Sequence, residues 1–222
     1  MDGSKQEFGI DYDQTYSPTA RWPTIRTMLV MVLLHDWHSL QLDFVQAFPQ
    51  APAATKQYMH LPKGINIDGL DPNLHCFEVH NNVYGSCDAS RQWYLHLTNI
   101  LINDLGFKKS AFDECLFYRG SVMYVLYTDD SILAGPDKDE LDKAVQDMRN
   151  AKLNLTVEGQ LEDFLGVNIS RQDDKFVLTQ PKLIQSIIEE LGLASEGDKA
   201  PNIKDIPMQS SKLLSRHLDS PD

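Results

Sequence analysis

The stretch YVLYTDDSILAG, residues 124–135, decides how the rest of this chain is read. Val125, Leu126 and Tyr127 have the β-branched and aromatic character of one strand, and Ile132, Leu133 and Ala134 that of the next. Between them stands Thr128-Asp129-Asp130-Ser131. Aspartate suits a turn because its side chain bonds nearby backbone and it tolerates unusual dihedrals. Two adjacent carboxylates at the tip of an apolar hairpin are also half of a metal site, and that reading requires a third carboxylate from elsewhere.

Asp43 is the candidate. In HSLQLDF, residues 38–44, Leu40, Leu42 and Phe44 alternate with Ser39, Gln41 and Asp43. That period of two predicts a strand with Asp43 on the face away from the apolar one, followed by a helical turn at Ala47-Phe48. The interval between Asp43 and Asp129 suits neighbouring strands of one sheet with a subdomain inserted between them. Three carboxylates meeting at a sheet surface can hold two Mg²⁺ ions, which are hard and take oxygen ligands together with substrate phosphates. The expected geometry sets Asp43 and Asp129 face to face across adjacent strands.

The 222 residues suffice for one large domain or two small ones. The longest apolar run, Met28 to Leu34, is too short to span a bilayer, and no charged-then-apolar leader opens the chain. Cys76, Cys87 and Cys115 are odd in number and lack C-x-x-C spacing, which argues against a disulfide framework or a zinc site and fits a reducing, intracellular setting. The net charge of -12 disfavours non-specific nucleic-acid binding, which depends on Lys and Arg against phosphates.

Elsewhere, Ile25, Met28, Leu29, Val32 and Leu33 predict a helix behind Pro23. Residues 49–83 are rich in Pro, Gly and Asn and read as loops with a short strand near Tyr58 to Leu61. Trp93, Leu97, Ile100, Leu101 and Leu105 mark the buried stripe of a helix that Gly106 stops. CLFYR and VMYVLY form a hairpin about Gly120-Ser121. A helix from Asp137 to Lys152 opens on an Asp137/Glu140 cap, strands occupy residues 153–157, 164–170 and 175–179, and a helix runs from Pro181 to Leu191 and ends at Gly192. Strands joined largely by hairpins favour an α+β fold with an antiparallel sheet.

Seven segments in order carry a family resemblance: GIDYDQTYSPTARWPTIR, LQLDFVQAF, VYGSCDASRQWY, LGFKKSAFDECLFY, YTDD, FLGVNI and LTQPKLIQSI. Together they resemble the reverse transcriptase domain of copia-type LTR retrotransposons from about Gly9 to about Leu193. The resemblance implies a right-hand polymerase fold spanning residues 1–222: an antiparallel palm sheet flanked by helices (37–48 and 89–180), truncated fingers (9–36 and 49–88) and a partial thumb or connection tail (181–222). It implies an RNA-directed DNA polymerase using two Mg²⁺ ions, for which Mn²⁺ can substitute, with Asp43, Asp129 and Asp130 as the catalytic, metal-holding carboxylates. Phe48 matches the aromatic that underlies the incoming sugar and excludes its 2′-hydroxyl. Gly85, Asp88, Arg91 and Tyr127 match nucleotide-pocket positions, Arg91 toward the template or a neighbouring carboxylate. The implied partners are an RNA/DNA template-primer and deoxynucleoside triphosphates, with no membrane, and the implied setting is a cytoplasmic particle or the nucleus. Ribonuclease H and integrase parts are expected elsewhere in a polyprotein.

The chain departs from the family pattern at the pocket. Tyr84 to Arg91 reads YGSCDASR where the family reads YGLKQAPR, so Asp88 replaces a Gln at the nucleotide and Cys87 replaces a Lys. Pro49-Gln50 replaces a Leu-Asn, and the basic fingertip strand that precedes GIDY in the family is not found. The sequence therefore supports two outcomes: a working polymerase domain, or a degenerate, catalytically weak copy acting as a binding module.

Overall fold

The fold is seen in a computed structural model that describes residues 1–191 apart from 63, 65, 66, 72, 73, 160 and 174. The expected stop at Gly192 and the tail beyond it lie outside the described residues.

Hydrophobic period and hairpin turns build a six-stranded antiparallel sheet in the order β4-β5-β6-β7-β1-β8. Its members are β1 (His38–Phe44), β4 (Lys108–Lys109), β5 (Leu116–Arg119), β6 (Val122–Tyr127), β7 (Asp130–Gly135) and β8 (Leu155–Gly159). Leu42 and Phe44 are buried while Asp43 between them is only half-buried, as the alternation predicts. A smaller sheet joins β9 (Asp163–Phe164), β10 (Val167–Gln172) and β11 (Lys175–Thr179). The antiparallel α+β class is borne out.

Helix α1 (Trp22–Leu34) buries Ile25, Met28, Leu29 and Val32 on one stripe. Its N-cap, Arg21, has no side chain that can accept, and Asp113 supplies the carboxylate from far along the chain. Asp113 accepts from the Arg21 amide at 3.1 Å, the Cys115 amide at 2.9 Å and the Thr24 hydroxyl. Burial pushes this carboxyl up, yet those hydrogen bonds outweigh it and hold it below its ordinary value.

Helix α3 (Ala89–Asn99) starts earlier than the predicted stripe and continues as a π-turn over Ile100–Asp104, where the Leu105 amide reaches the Ile100 carbonyl. Gly106 then leaves at φ +73°, the left-handed geometry that ends helices cheaply with glycine. Helix α4 (Lys138–Asn150) buries Leu141, Ala144, Val145 and Met148. Asp137 caps it through the Asp139 amide, whereas Glu140 accepts from the Ser121 hydroxyl instead of reaching back.

Two stretches of the segment read as loops, Pro52–His60 and Cys76–Asn81, are regular strands. After the short helix α2 (Ala47–Gln50), β2 (Pro52–His60) and β3 (Cys76–Asn81) form a two-stranded hairpin. Its residues are mostly exposed, so no apolar alternation announced it. Helix α5 (Pro181–Glu190) belongs to a second compact unit and carries Leu183, Ile184 and Ile187 exposed on its surface.

Candidate active site

The carboxylates arrive on two strands and the turn between β6 and β7. β1 delivers Asp43, β7 begins with Asp130, and Thr128-Asp129 make the two-residue turn. In the β1–β7 ladder Asp43 stands opposite Asp130, with Leu42 opposite Ser131. The position facing Asp43 in register is thus Asp130, one residue beyond the Asp129 that the strand phases predict. Asp129 stays close through backbone, its carbonyl accepting from the Phe44 amide at 3.2 Å.

Burial and local charge act together on Asp130. Burial, then the neighbouring Asp129, Asp43, Glu158 and Asp163, push the Asp130 carboxyl up to about 6. Glu158 is a member of this cluster that sequence reasoning missed. It lies on β8 beside β1, where the register shifts between Gln41 and Leu42, and its Oε2 accepts from Gln41 Nε2 at 2.6 Å. No sequence signal marks it, because only the pairing of β8 with β1 brings it near.

The donor types, carboxylate oxygens of like charge, are chemically suited to a hard divalent cation. Among the described residues, no three His, Cys, Asp or Glu side chains are drawn into one ready-made shell.

The turn is conformationally demanding. Thr128 has φ +59°, a region that β-branched residues rarely occupy. Its carbonyl accepts from the indole Nε1–H of Trp93 at 2.7 Å. Trp93 marks a helix stripe in the sequence, and its second role is visible only in the fold.

Phe48 sits on α2, half-buried, with its ring 4.8 Å from that of Tyr84. Tyr127 pairs with Asp130 across β6 and β7. Gly85 has φ +92°, and a Cβ there would lie 2.1 Å from the Met1 carbonyl. The beginning of the chain runs over this loop: the Cys87 amide donates to Gln6 Oε1 at 2.7 Å and the Cys87 thiol to the Gly3 carbonyl at 3.2 Å. Asp88 is 2% exposed, and its Oδ2 accepts from Gln92 Nε2 at 3.1 Å. Its Oδ1 has no partner among the described residues. Arg91 donates to the Tyr16 carbonyl at 2.9 Å, fixing an N-terminal segment to α3. A cavity of about 590 Å³ lies elsewhere, walled by Trp37, Ser39, Glu162 and Arg171, and includes none of the three aspartates.

Comparison with known proteins bears on the same segments. Residues 1–208 match the family described as reverse transcriptase (RNA-dependent DNA polymerase). The chain is 27% identical over 198 residues to a retrovirus-related Pol polyprotein from transposon TNT 1-94 of Nicotiana tabacum, covering 86% of this chain and 15% of that protein. It is 32% identical over 190 residues to the corresponding polyprotein from transposon RE1 of Arabidopsis thaliana, 84% of this chain and 13% of the relative. For transposon RE2 of the same plant the figures are 30% over 219 residues, 97% and 14%. The chain spans about one seventh of the length of these curated relatives.

Proposed function

The chain belongs to the reverse transcriptase (RNA-dependent DNA polymerase) family, among the copia-type retrotransposon polyproteins, and from that premise we propose that its carboxylate hairpin is a nucleotidyl-transfer site. The observation that supports the proposal is the β1–β7 register, which sets Asp43 opposite Asp130 and beside the Asp129 turn, with the Asp130 carboxyl raised by burial and then by its acidic neighbours. Such a cluster favours a bound cation over bare like charges. When bound, two divalent ions supply Lewis-acid activation of an attacking hydroxyl and stabilise the leaving oxygen of an in-line displacement.

The chain's own residues do the rest. Asp43 and Asp129 are the main ligands and Asp130 supports them, so that opposing strands hold the reacting groups in line. Phe48, backed by the Tyr84 ring, lies under the incoming deoxyribose and excludes a 2′-hydroxyl. Gly85 admits close backbone approach at the pocket loop, and Arg91 keeps that loop's helix anchored. In this reading residues 37–48 and 89–180 belong to the palm, 9–36 and 49–88 to the fingers, and 181–222 to the thumb or connection. The partners are an RNA/DNA template-primer and deoxynucleoside triphosphates inside a cell, with ribonuclease H and integrase parts contributed by a longer polyprotein.

A second reading is a weakly active or inactive copy that binds without catalysis. It is favoured by the net charge of -12 and by the Gly3–Gln6 segment lying over the Cys87 loop. Primer extension on poly(rA)/oligo(dT) with Mg²⁺ or Mn²⁺ separates the two. The expected result is weak extension, abolished by Asp129→Asn. Template-primer binding without extension establishes the second reading, and neither binding nor a cation effect overturns both.

A further inference from the structure

Trp93 connects β1 with the turn between β6 and β7, the two places that supply the carboxylates. Its side chain is 1% exposed and belongs to α3. The ring meets Phe44 edge-on, with centroids 5.0 Å apart and planes at 66°, and Phe44 is the residue after Asp43. The indole Nε1–H donates to the Thr128 carbonyl across 35 positions, and Thr128 is the residue before Asp129. A third tie closes the triangle, since the Phe44 amide donates to the Asp129 carbonyl.

The helix that carries the indole is itself held. Tyr94 donates its hydroxyl to the Glu114 carbonyl at 3.0 Å, and Arg91 holds the Tyr16 carbonyl. Trp93 therefore bears on the turn from a fixed base. A tryptophan that only fills core volume can give its N–H to any nearby acceptor. Here the acceptor is the carbonyl of the one turn residue at positive φ, a place where threonine is strained and needs outside support.

We propose that Trp93 is a positioning residue for the carboxylate cluster. Its N–H holds the Thr128 backbone in the strained form, its ring braces Phe44, and together they set the spacing between Asp43 and the Asp129-Asp130 pair. The consequence for cation binding rests on the function proposed above, whereas the consequence for the turn does not.

The test uses the 222-residue chain and Trp93→Phe, which keeps an aromatic ring and removes the donor. Two quantities are read: Mn²⁺ affinity by calorimetry, and site-resolved amide exchange. The expected result is Mn²⁺ binding weakened about tenfold, the scale of losing one well-made hydrogen bond at a positioned site. The Phe44 amide should exchange roughly tenfold faster while core amides such as Leu133 and Met148 keep their protection, a local opening. Trp93→Phe/Thr128→Asn should recover part of both, because asparagine accepts positive φ more readily than threonine. If wild type takes up no Mn²⁺ but Phe44 still opens selectively, the positioning role stands and the metal reading falls. Unchanged affinity with unchanged Phe44 exchange overturns the proposal. So does a uniform loss of protection across the core, which marks Trp93 as a packing residue only.

Discussion

Asp43 and Asp130 stand opposite each other in the antiparallel ladder between β1 and β7, two carboxylates at one rung of a sheet. Directly opposed residues in such a ladder have Cα atoms only about 4.5–5.5 Å apart, where like charges destabilise. Burial first, then Asp129 and the opposed Asp43, raise the Asp130 carboxyl to about 6.

This relationship fixes a pH dependence. The folded-state value of about 6 exceeds the ordinary 3.8, so the folded chain holds this proton more tightly than the unfolded one. Stability contributed by Asp130 is therefore present below 3.8 and is lost as pH rises through 6. Asp130→Asn should raise Tm at pH 8 in a chelating buffer, and the advantage should fade to nothing near pH 4. The Asp113 carboxyl, shifted the opposite way, is common to both proteins and cancels. A pH-independent Tm difference would contradict the assignment.

Divalent cations should act on the same group. Mn²⁺ at about 100 times its dissociation constant should stabilise the wild-type chain by roughly 2.7 kcal/mol through mass action. Asp43→Asn or Asp129→Asn should remove most of that gain. Equal cation-induced Tm shifts in all three proteins would place the ion elsewhere.

Phe48 and Tyr84 form one tilted ring pair, with centroids 4.8 Å apart and planes at 38°, so sugar discrimination should depend on both rings. Phe48→Val should increase ribonucleotide incorporation relative to deoxynucleotide, and Tyr84→Ala should do so to a smaller degree by removing the support. The check is single-nucleotide extension with each triphosphate. Unaltered discrimination with deoxynucleotide activity retained would leave Phe48 a packing residue.

Asp88 is buried against Gln92, and its effect should fall on stability more than on the nucleotide. Asp88→Asn preserves an acceptor for Gln92 and removes a buried charge, so stability should stay level or rise by about 1 kcal/mol. Nucleotide affinity should change less than about twofold, a fraction of the ~1.4 kcal/mol that a tenfold effect requires. Denaturant melts and equilibrium nucleotide titration measure the two. A large gain in affinity would show that Asp88 turns toward the substrate.

The remote cap of α1 offers a purely structural check. Asp113→Ala leaves the amides of Arg21 and Cys115 without their acceptor, at a cost of roughly 2–4 kcal/mol by denaturant unfolding. Asp13→Ala, on an exposed residue, should stay within about 0.5 kcal/mol. Similar losses for both variants would mean that Asp113 does not cap the helix.

The residues that carry strong local period were legible before any fold was seen. Alternation around Asp43, the apolar strands flanking the Asp129-Asp130 turn and the stripe of α1 are properties of adjacent residues, and a strand or helix expresses them wherever it lies. So the α+β class and the three aspartates came from the sequence alone. Of the β2–β3 hairpin only the short strand near Tyr58 was legible, because its mostly exposed residues make no alternation. Four further details belong to the tertiary structure: Asp130 opposite Asp43, Glu158 beside them, the Trp93 indole under Thr128, and Asp88 turned to Gln92. The reason is physical. Periodicity says which face of an element is apolar, but register and neighbour are set by pairing between segments far apart in the chain, where one residue of slip exchanges every contact.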